Sequence, residues 1–115
     1  MPTVCLCKIS PSGARETFEV SLGERPSVAD VLAVVEPHLD GGRAQRVLIL
    51  KPGSDEEIAS MFIDEEHVNK QLPRNEEATT LYRRAWLVVH PEADPETLPW
   101  IAGNVVIADR RLLDY

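Results

Sequence analysis

The sequence is short of cysteine, aromatic residues, basic charge and long apolar runs, and each shortage removes a class of protein. Two cysteines, Cys5 and Cys7, in 115 residues cannot supply the disulfide framework that stands in for a core in small secreted domains. Phenylalanine, tryptophan and tyrosine make up 5% of the chain, so the interior must be largely aliphatic. The apolar runs extend only a handful of residues, far below the roughly 20 needed to cross a bilayer. Met1 to Ser10 lacks the apolar region of a secretory signal. These absences predict a cytoplasmic protein whose cysteines are thiols.

Bases are outnumbered, 12 against 19 acids, for a net charge of −7. Direct nucleic-acid binding needs clustered cations that displace counterions from phosphates, and an anionic membrane surface asks for the same. Neither partner is expected. An acidic DNA mimic is an alternative reading, but the acid runs Asp55-Glu56-Glu57, Asp64-Glu65-Glu66 and Glu76-Glu77 are interrupted by Lys51, Lys70, Arg74, Arg83 and Arg84. Ordinary solubility explains them better. Catalytic signatures are missing too. There is no G-x-S-x-G, no H-E-x-x-H, no phosphate-cradling glycine loop and no dinucleotide fingerprint. The expectation is a non-enzymatic protein without a cofactor, with a small hydrolase as a distant alternative.

What is present reads as one domain over residues 1–115, in the usual size range. The predicted fold class is α+β, with a small mixed or antiparallel sheet of four to five strands and two main helices. Thr3 to Ile9 reads as a strand with Cys5, Cys7 and Ile9 on one face and Val4 and Leu6 on the other. Both faces are apolar, which predicts an interior strand. Pro11-Ser12-Gly13 signals a turn into a second strand, Arg15 to Ser21, completing a hairpin. Ser27 with Asp30 forms a capping box for a helix carrying Val28, Val31, Leu32 and Val35, stopped near Pro37. Gly41-Gly42 then leads to a third strand, Gln45 to Lys51, apolar on both faces. Ser54 with Glu57 suggests a second capping box over a single turn, and Met61-Phe62-Ile63 a short fourth strand. Asn75 caps the longest helix, with Glu76 and Glu77 favoured by its positive end. Ala78, Leu81, Tyr82, Ala85, Trp86 and Val89 trace one continuous stripe. A competing reading makes Ala85 to His90 a strand, because Trp86-Leu87-Val88-Val89 has high β propensity. Asn104 to Ala108 is the last strand. The tail docks through Leu112, Leu113 and Tyr115.

Three segments carry a resemblance. They are Met61-Phe62-Ile63-Asp64-Glu65-Glu66, then Leu72-Pro73-Arg74-Asn75-Glu76-Glu77-Ala78-Thr79, then Ile101-Ala102-Gly103 before an apolar strand. The pattern resembles a family of small uncharacterised proteins (a domain of unknown function) found in bacteria, plasmids and phages, with a Leu-Pro-x-Asn-x-x-Ala-Thr motif and a C-terminal Ile-x-Gly. About half the chain carries residue-level matches. The resemblance implies a mobile-element origin and no particular reaction. Where the family pattern has Glu-Glu-Gly, this sequence has Glu65-Glu66-His67.

Most of these residues have structural readings. Asn75 is a helix N-cap, Pro73 fixes the approach to it, and Gly103 permits a positive φ. Cys5 and Cys7 share a face and thiolates bind zinc, but two more ligands would have to come from His38, His67 or His90, so core packing is the expectation and no metal site is predicted. The functional candidates cluster at a helix start, a ready anion site. They are Arg74, Asn75, Thr79, Arg83 and Arg84, with Trp100 beside them. The expected role is a binding module, homo-oligomeric in one reading. It captures a small anionic ligand, and a counter-defence protein sequestering a nucleotide-derived signal would fit the implied origin. The alternative is a protein-interaction factor that inhibits a host protein through an apolar patch near Trp86 or Trp100.

Overall fold

The computed structural model describes residues 3–23, 25–39, 43–51, 53, 57–66, 70–110 and 112. The hairpin forms as its sequence dictates. Strands β1 (Thr3–Ile9) and β2 (Arg15–Ser21) pair antiparallel with Leu6 opposite Phe18. Gly13 closes the turn at φ 90°, a region that disfavours residues with a Cβ, and its N–H donates to the Ser10 carbonyl at 2.9 Å.

Three further strands complete one sheet: β3 (Ala44–Leu50), β4 (Ile58–Asp64) and β5 (Val105–Ala108). The order is β2-β1-β5-β4-β3, and every neighbouring pair runs antiparallel. With helices α1 (Val28–Val35) and α2 (Glu76–Val89), this is the small α+β fold. Strand β1 lies inside the sheet, as its two apolar faces require. Val4 and Leu6 pack with Val31, Val35, Phe62 and Val106 on the α1 side. Ile9 packs with Ile49, Met61, Ala78 and Ile107 on the α2 side. Burying aliphatic side chains on both faces at about 25 cal/mol per Å² gives a core that needs no staple.

Helix α1 begins at the expected capping box. Ser27 Oγ accepts from the Asp30 N–H and Asp30 Oδ2 accepts from the Ser27 N–H, each at 3.1 Å. Pro37 tightens the end into a 3-10 turn over Glu36–His38. There the Glu36 carboxylate accepts the N–H of Ala44 at 2.8 Å, which fixes where β3 starts.

Some expectations need correction. Strand β4 begins at Ile58, three residues earlier than Met61. Buried Ser60 breaks the apolar pattern, but its hydroxyl accepts the N–H of Leu112 at 2.8 Å, so a satisfied polar group sits inside the strand. The Leu112 part of the tail does dock, while Leu113 and Tyr115 lie outside the described residues, as does Ser54 of the second capping box. Strand β3 takes an edge position, and among the described strands it pairs with β4 alone. Helix α2 continues to Val89, and the strand reading of Ala85 to His90 fails because those backbone groups stay in the helical ladder through the His90 N–H to the Trp86 carbonyl at 2.9 Å. The α2 stripe, however, is not buried throughout. Trp86 is 40% exposed and Val89 71%, because the helix runs past the sheet surface available to cover it.

Candidate functional site

The Leu-Pro-x-Asn and Ile-x-Gly segments turn out to be two sides of one seam. The Gly103 N–H donates to the Pro73 carbonyl at 2.8 Å, and the Asn75 N–H to the Ile101 carbonyl at 2.8 Å. Between them Arg74 and Ala102 form a β-bridge. Asn75 Oδ1 caps α2 by accepting from the Ala78 N–H at 3.1 Å. Its Nδ2 donates to two backbone carbonyls, Ile9 at 3.1 Å and Gly103 at 3.0 Å. Thr79 Oγ1 accepts from the Ile101 N–H at 2.9 Å and donates to the Ile101 carbonyl at 3.2 Å. Gly103 sits at φ 79°, as its place before β5 suggested. The seam thus ties the start of α2, the end of β1 and the approach to β5 into one hydrogen-bonded unit.

This places the six candidates differently from one another. Asn75 and Thr79 are 1% and 2% exposed, and their polar side-chain atoms are committed to the chain itself. Arg74 is exposed and paired with Glu76 at 2.8 Å. Arg83 lies a turn and more along α2, where Nη2 donates to the Leu98 carbonyl at 2.9 Å, while its buried Nε has no hydrogen-bond partner. Arg84 is half-buried on the same helix. Trp100 stands over a cleft. The structure therefore does not bring the six into one polar pocket.

What it brings together is apolar. A cleft of about 240 Å³ is lined by Gln45, Val47, Ile63, Tyr82, Pro99, Trp100 and Ile101. A second, of about 300 Å³, is lined by Leu48, Ile58, Tyr82, Ala85, Trp86, Val89 and His90. Tyr82 belongs to both, so they form a continuous groove between α2 and β3. Along it Tyr82, Trp86 and His90 recur at helical i, i+4 spacing, with ring centroids 6.4 Å and 4.8 Å apart. Clefts of this size lie at or below the small end of small-molecule pockets; each takes about one large side chain or ring. Gln45, Tyr82 and Trp100 are the lining residues of the first cleft with polar side-chain atoms, and they bring no nucleophile beside a base. The sequence flagged Trp86 and Trp100 but missed Tyr82, Val47 and Leu48.

The cysteines meet the core-packing expectation only in part. Both are free and half-buried; Cys7 packs against the α2-side core, while Cys5 belongs to neither core cluster. They line a cleft of about 200 Å³ with Arg15, Lys51, Ile107, Ala108 and Asp109, because α2 lies over the β3 side of the sheet. Burial pushes the Asp109 carboxyl up, but the hydrogen bond and charge of Arg110, a backbone contact at Cys5 and the charge of Lys51 outweigh it, so the net shift is downward. The zinc partners do not assemble among the described residues. His38 stacks on Phe18 at 4.3 Å, on the opposite face of the sheet, and His90 stacks on Trp86. No group of three or more metal-capable side chains occurs among the described residues. No described helix is long and apolar enough to cross a membrane.

No family model matches the chain, and no solved structure matches it. A 48-residue stretch is 50% identical to the N-succinylamino acid racemase of Thermus thermophilus, covering 40% of this chain. The chain spans 13% of the length of that racemase. The similarity belongs to a segment, and the racemase activity stays with the protein that bears the name.

Proposed function

We propose that this protein is a non-enzymatic interaction module of mobile-element type, working in the cytoplasm of a bacterial host and engaging a host protein through the α2–β3 groove. One observation carries the reading. A groove walled by Tyr82, Trp86 and Trp100 lies open to solvent, with Leu48 and Val89 exposed along it. Tryptophan and tyrosine are the residues that anchor protein interfaces, and exposed apolar patches of this kind mark interaction sites. The groove carries no carboxylate, so an apolar side chain enters without stripping charge of water.

A second reading, capture of a small nucleotide-derived anion in a counter-defence role, is favoured by the buried, unpartnered Nε of Arg83. It loses support where Asn75 and Thr79 hydrogen-bond inward and Arg74 pairs with Glu76.

A photo-crosslinking residue at position 90, which lines the groove, should capture a bacterial protein that the same residue at position 16, on β2, does not. Titration of that purified partner should then weaken about 30-fold for Trp86→Ala, the order expected when an interface tryptophan worth about 2 kcal/mol is truncated. Equal capture from both positions would refute the groove. Heat of binding across a panel of nucleotides, lost in Arg83→Gln, would favour the second reading instead.

A further inference from the structure

The backbone of β3 fixes which of its groups are already used. The Lys51 N–H donates to the Glu57 carbonyl at 2.8 Å, and the Arg43 carbonyl accepts from the Glu65 N–H at 3.0 Å. Residues 43 and 51 therefore turn their peptide groups toward β4. Peptide directions alternate along a strand, so residues 45, 47 and 49 do the same and residues 44, 46, 48 and 50 face outward. Ala44 provides an independent check. Its N–H donates away from β4, to Glu36 Oε2 at 2.8 Å. Arg46, Leu48 and Leu50 are left presenting N–H and C=O along the outer edge, and no described strand pairs with that edge.

Open edges are normally guarded by lysine, proline, bulges or charged side chains. The other edge follows that rule, since β2 carries Glu16 and Glu19, both exposed. Strand β3 reads Ala-Gln-Arg-Val-Leu-Ile-Leu. Its one charged side chain, Arg46, reaches the Leu112 carbonyl. Glu36 guards only the Ala44 end.

Charge decides what fits. In a chain of net charge −7, residues 43–51 hold Arg43, Arg46 and Lys51 and no acid, with Lys51 paired to Glu57 across the ladder at 3.5 Å. A second copy pairing edge to edge would offer Arg43 and Arg46 no carboxylate from its own β3. A carboxylate-bearing strand would complement them.

We infer that β3 is a strand-addition site for an extended partner segment with alternating apolar side chains and flanking carboxylates. This rests on the reading of the α2–β3 groove as an interaction surface and specifies how the partner binds. The segment's backbone pairs with Arg46, Leu48 and Leu50. One of its large apolar side chains enters the cleft of about 300 Å³ between Leu48 and Trp86.

The test uses three synthetic fluorescein-labelled peptides of alternating valine and threonine with one phenylalanine at the centre. One is flanked by glutamates, one by lysines, and one is the glutamate peptide N-methylated at every second residue on its pairing edge. Saturable binding of the glutamate peptide is expected, at least tenfold weaker for the lysine peptide and for the N-methylated one. In nitrogen-15-labelled protein the amides of residues 46, 48 and 50 should gain exchange protection while those of 45, 47 and 49 stay as they were. Leu48→Pro removes an outward N–H and leaves the β3–β4 ladder bonds in place, so it should abolish binding with the fold retained. Equal affinity for the two charged peptides, or no new protection at 46, 48 and 50, overturns the inference. So does sedimentation showing that a second copy already occupies the edge. A partner whose binding depends on Trp86 but leaves those three amides unprotected overturns strand addition alone. Loss of Trp86 dependence as well removes the interaction reading with it.

Discussion

Helix α2 crosses one sheet, yet its two ends are treated in opposite ways. At the first turn Asn75 and Thr79 are buried, and each polar side-chain atom is matched to a backbone partner. At the last turns Trp86 is 40% exposed, Val88 62% and Val89 71%, and no basic residue offsets the negative end of the helix dipole. The first end resembles a weld between α2, β1 and β5. The second is an uncovered apolar ridge beside β3, whose outer flank no described strand pairs. Buried hydrogen-bonded amides are costly to disturb, whereas exposed aliphatic groups contribute little to folding. Stability should therefore concentrate at one end and recognition at the other.

Substitutions at the two ends sharpen or break that contrast. The largest effect belongs to Asn75→Ala. It removes an N-cap worth about 1 kcal/mol and leaves the Ile9 and Gly103 carbonyls buried without Nδ2, at about 1 kcal/mol or more each. A loss of roughly 3 kcal/mol should lower the Tm by about 10 °C or more, read by calorimetry. Thr79→Val keeps the shape and deletes the two bonds to Ile101, so about 1–2 kcal/mol should be lost in urea unfolding. Gly103→Ala places a Cβ at a positive φ and should cost about 1 kcal/mol. Val89→Ser should change stability by less than about 0.5 kcal/mol, yet weaken partner binding measurably; a loss of stability as large as that of Asn75→Ala would break the contrast.

The smallest effect concerns acid. Asp109 has a lowered pKa in the folded chain, so its contribution is fully present above the unfolded carboxylate value, about 4, and disappears as pH falls through the lower folded value. Asp109→Asn should therefore lower the Tm slightly at pH 7 and not at all in strong acid, which flattens the acid limb of a Tm-against-pH curve.

Much of the fold was legible because local signals and packing agree. Ser27 with Asp30, Gly13 and Asn75 are side chains whose local chemistry alone specifies a cap or a turn, and β1, β2 and α2 fall where those signals put them. Legibility failed where a distant partner decides. The start of β4 stayed hidden because Ser60 interrupts the apolar run, and the Leu112 N–H that satisfies it is 52 positions away. Trp86 and Val89 read as part of one continuous stripe, because helical spacing reports which side chains share a face and says nothing of how far the covering sheet extends. Cys5 was misjudged for the same reason, whereas Cys7, two residues on, does pack against the α2-side core. The candidate site divided along that line. Asn75 and Thr79 stand out by residue type, but their partners, Ile9, Ile101 and Gly103, lie in other elements, so the seam they form is not visible along the chain. Tyr82 became a shared wall only once β3 was placed beside α2.

The most direct test follows backbone and side-chain resonances of the labelled protein as the crosslinked host partner is added. The account predicts shifts centred on Leu48, Tyr82, Trp86 and Val89, with Asn75 and Thr79 unmoved. Shifts centred on residues 74–79, with the groove silent, would contradict it.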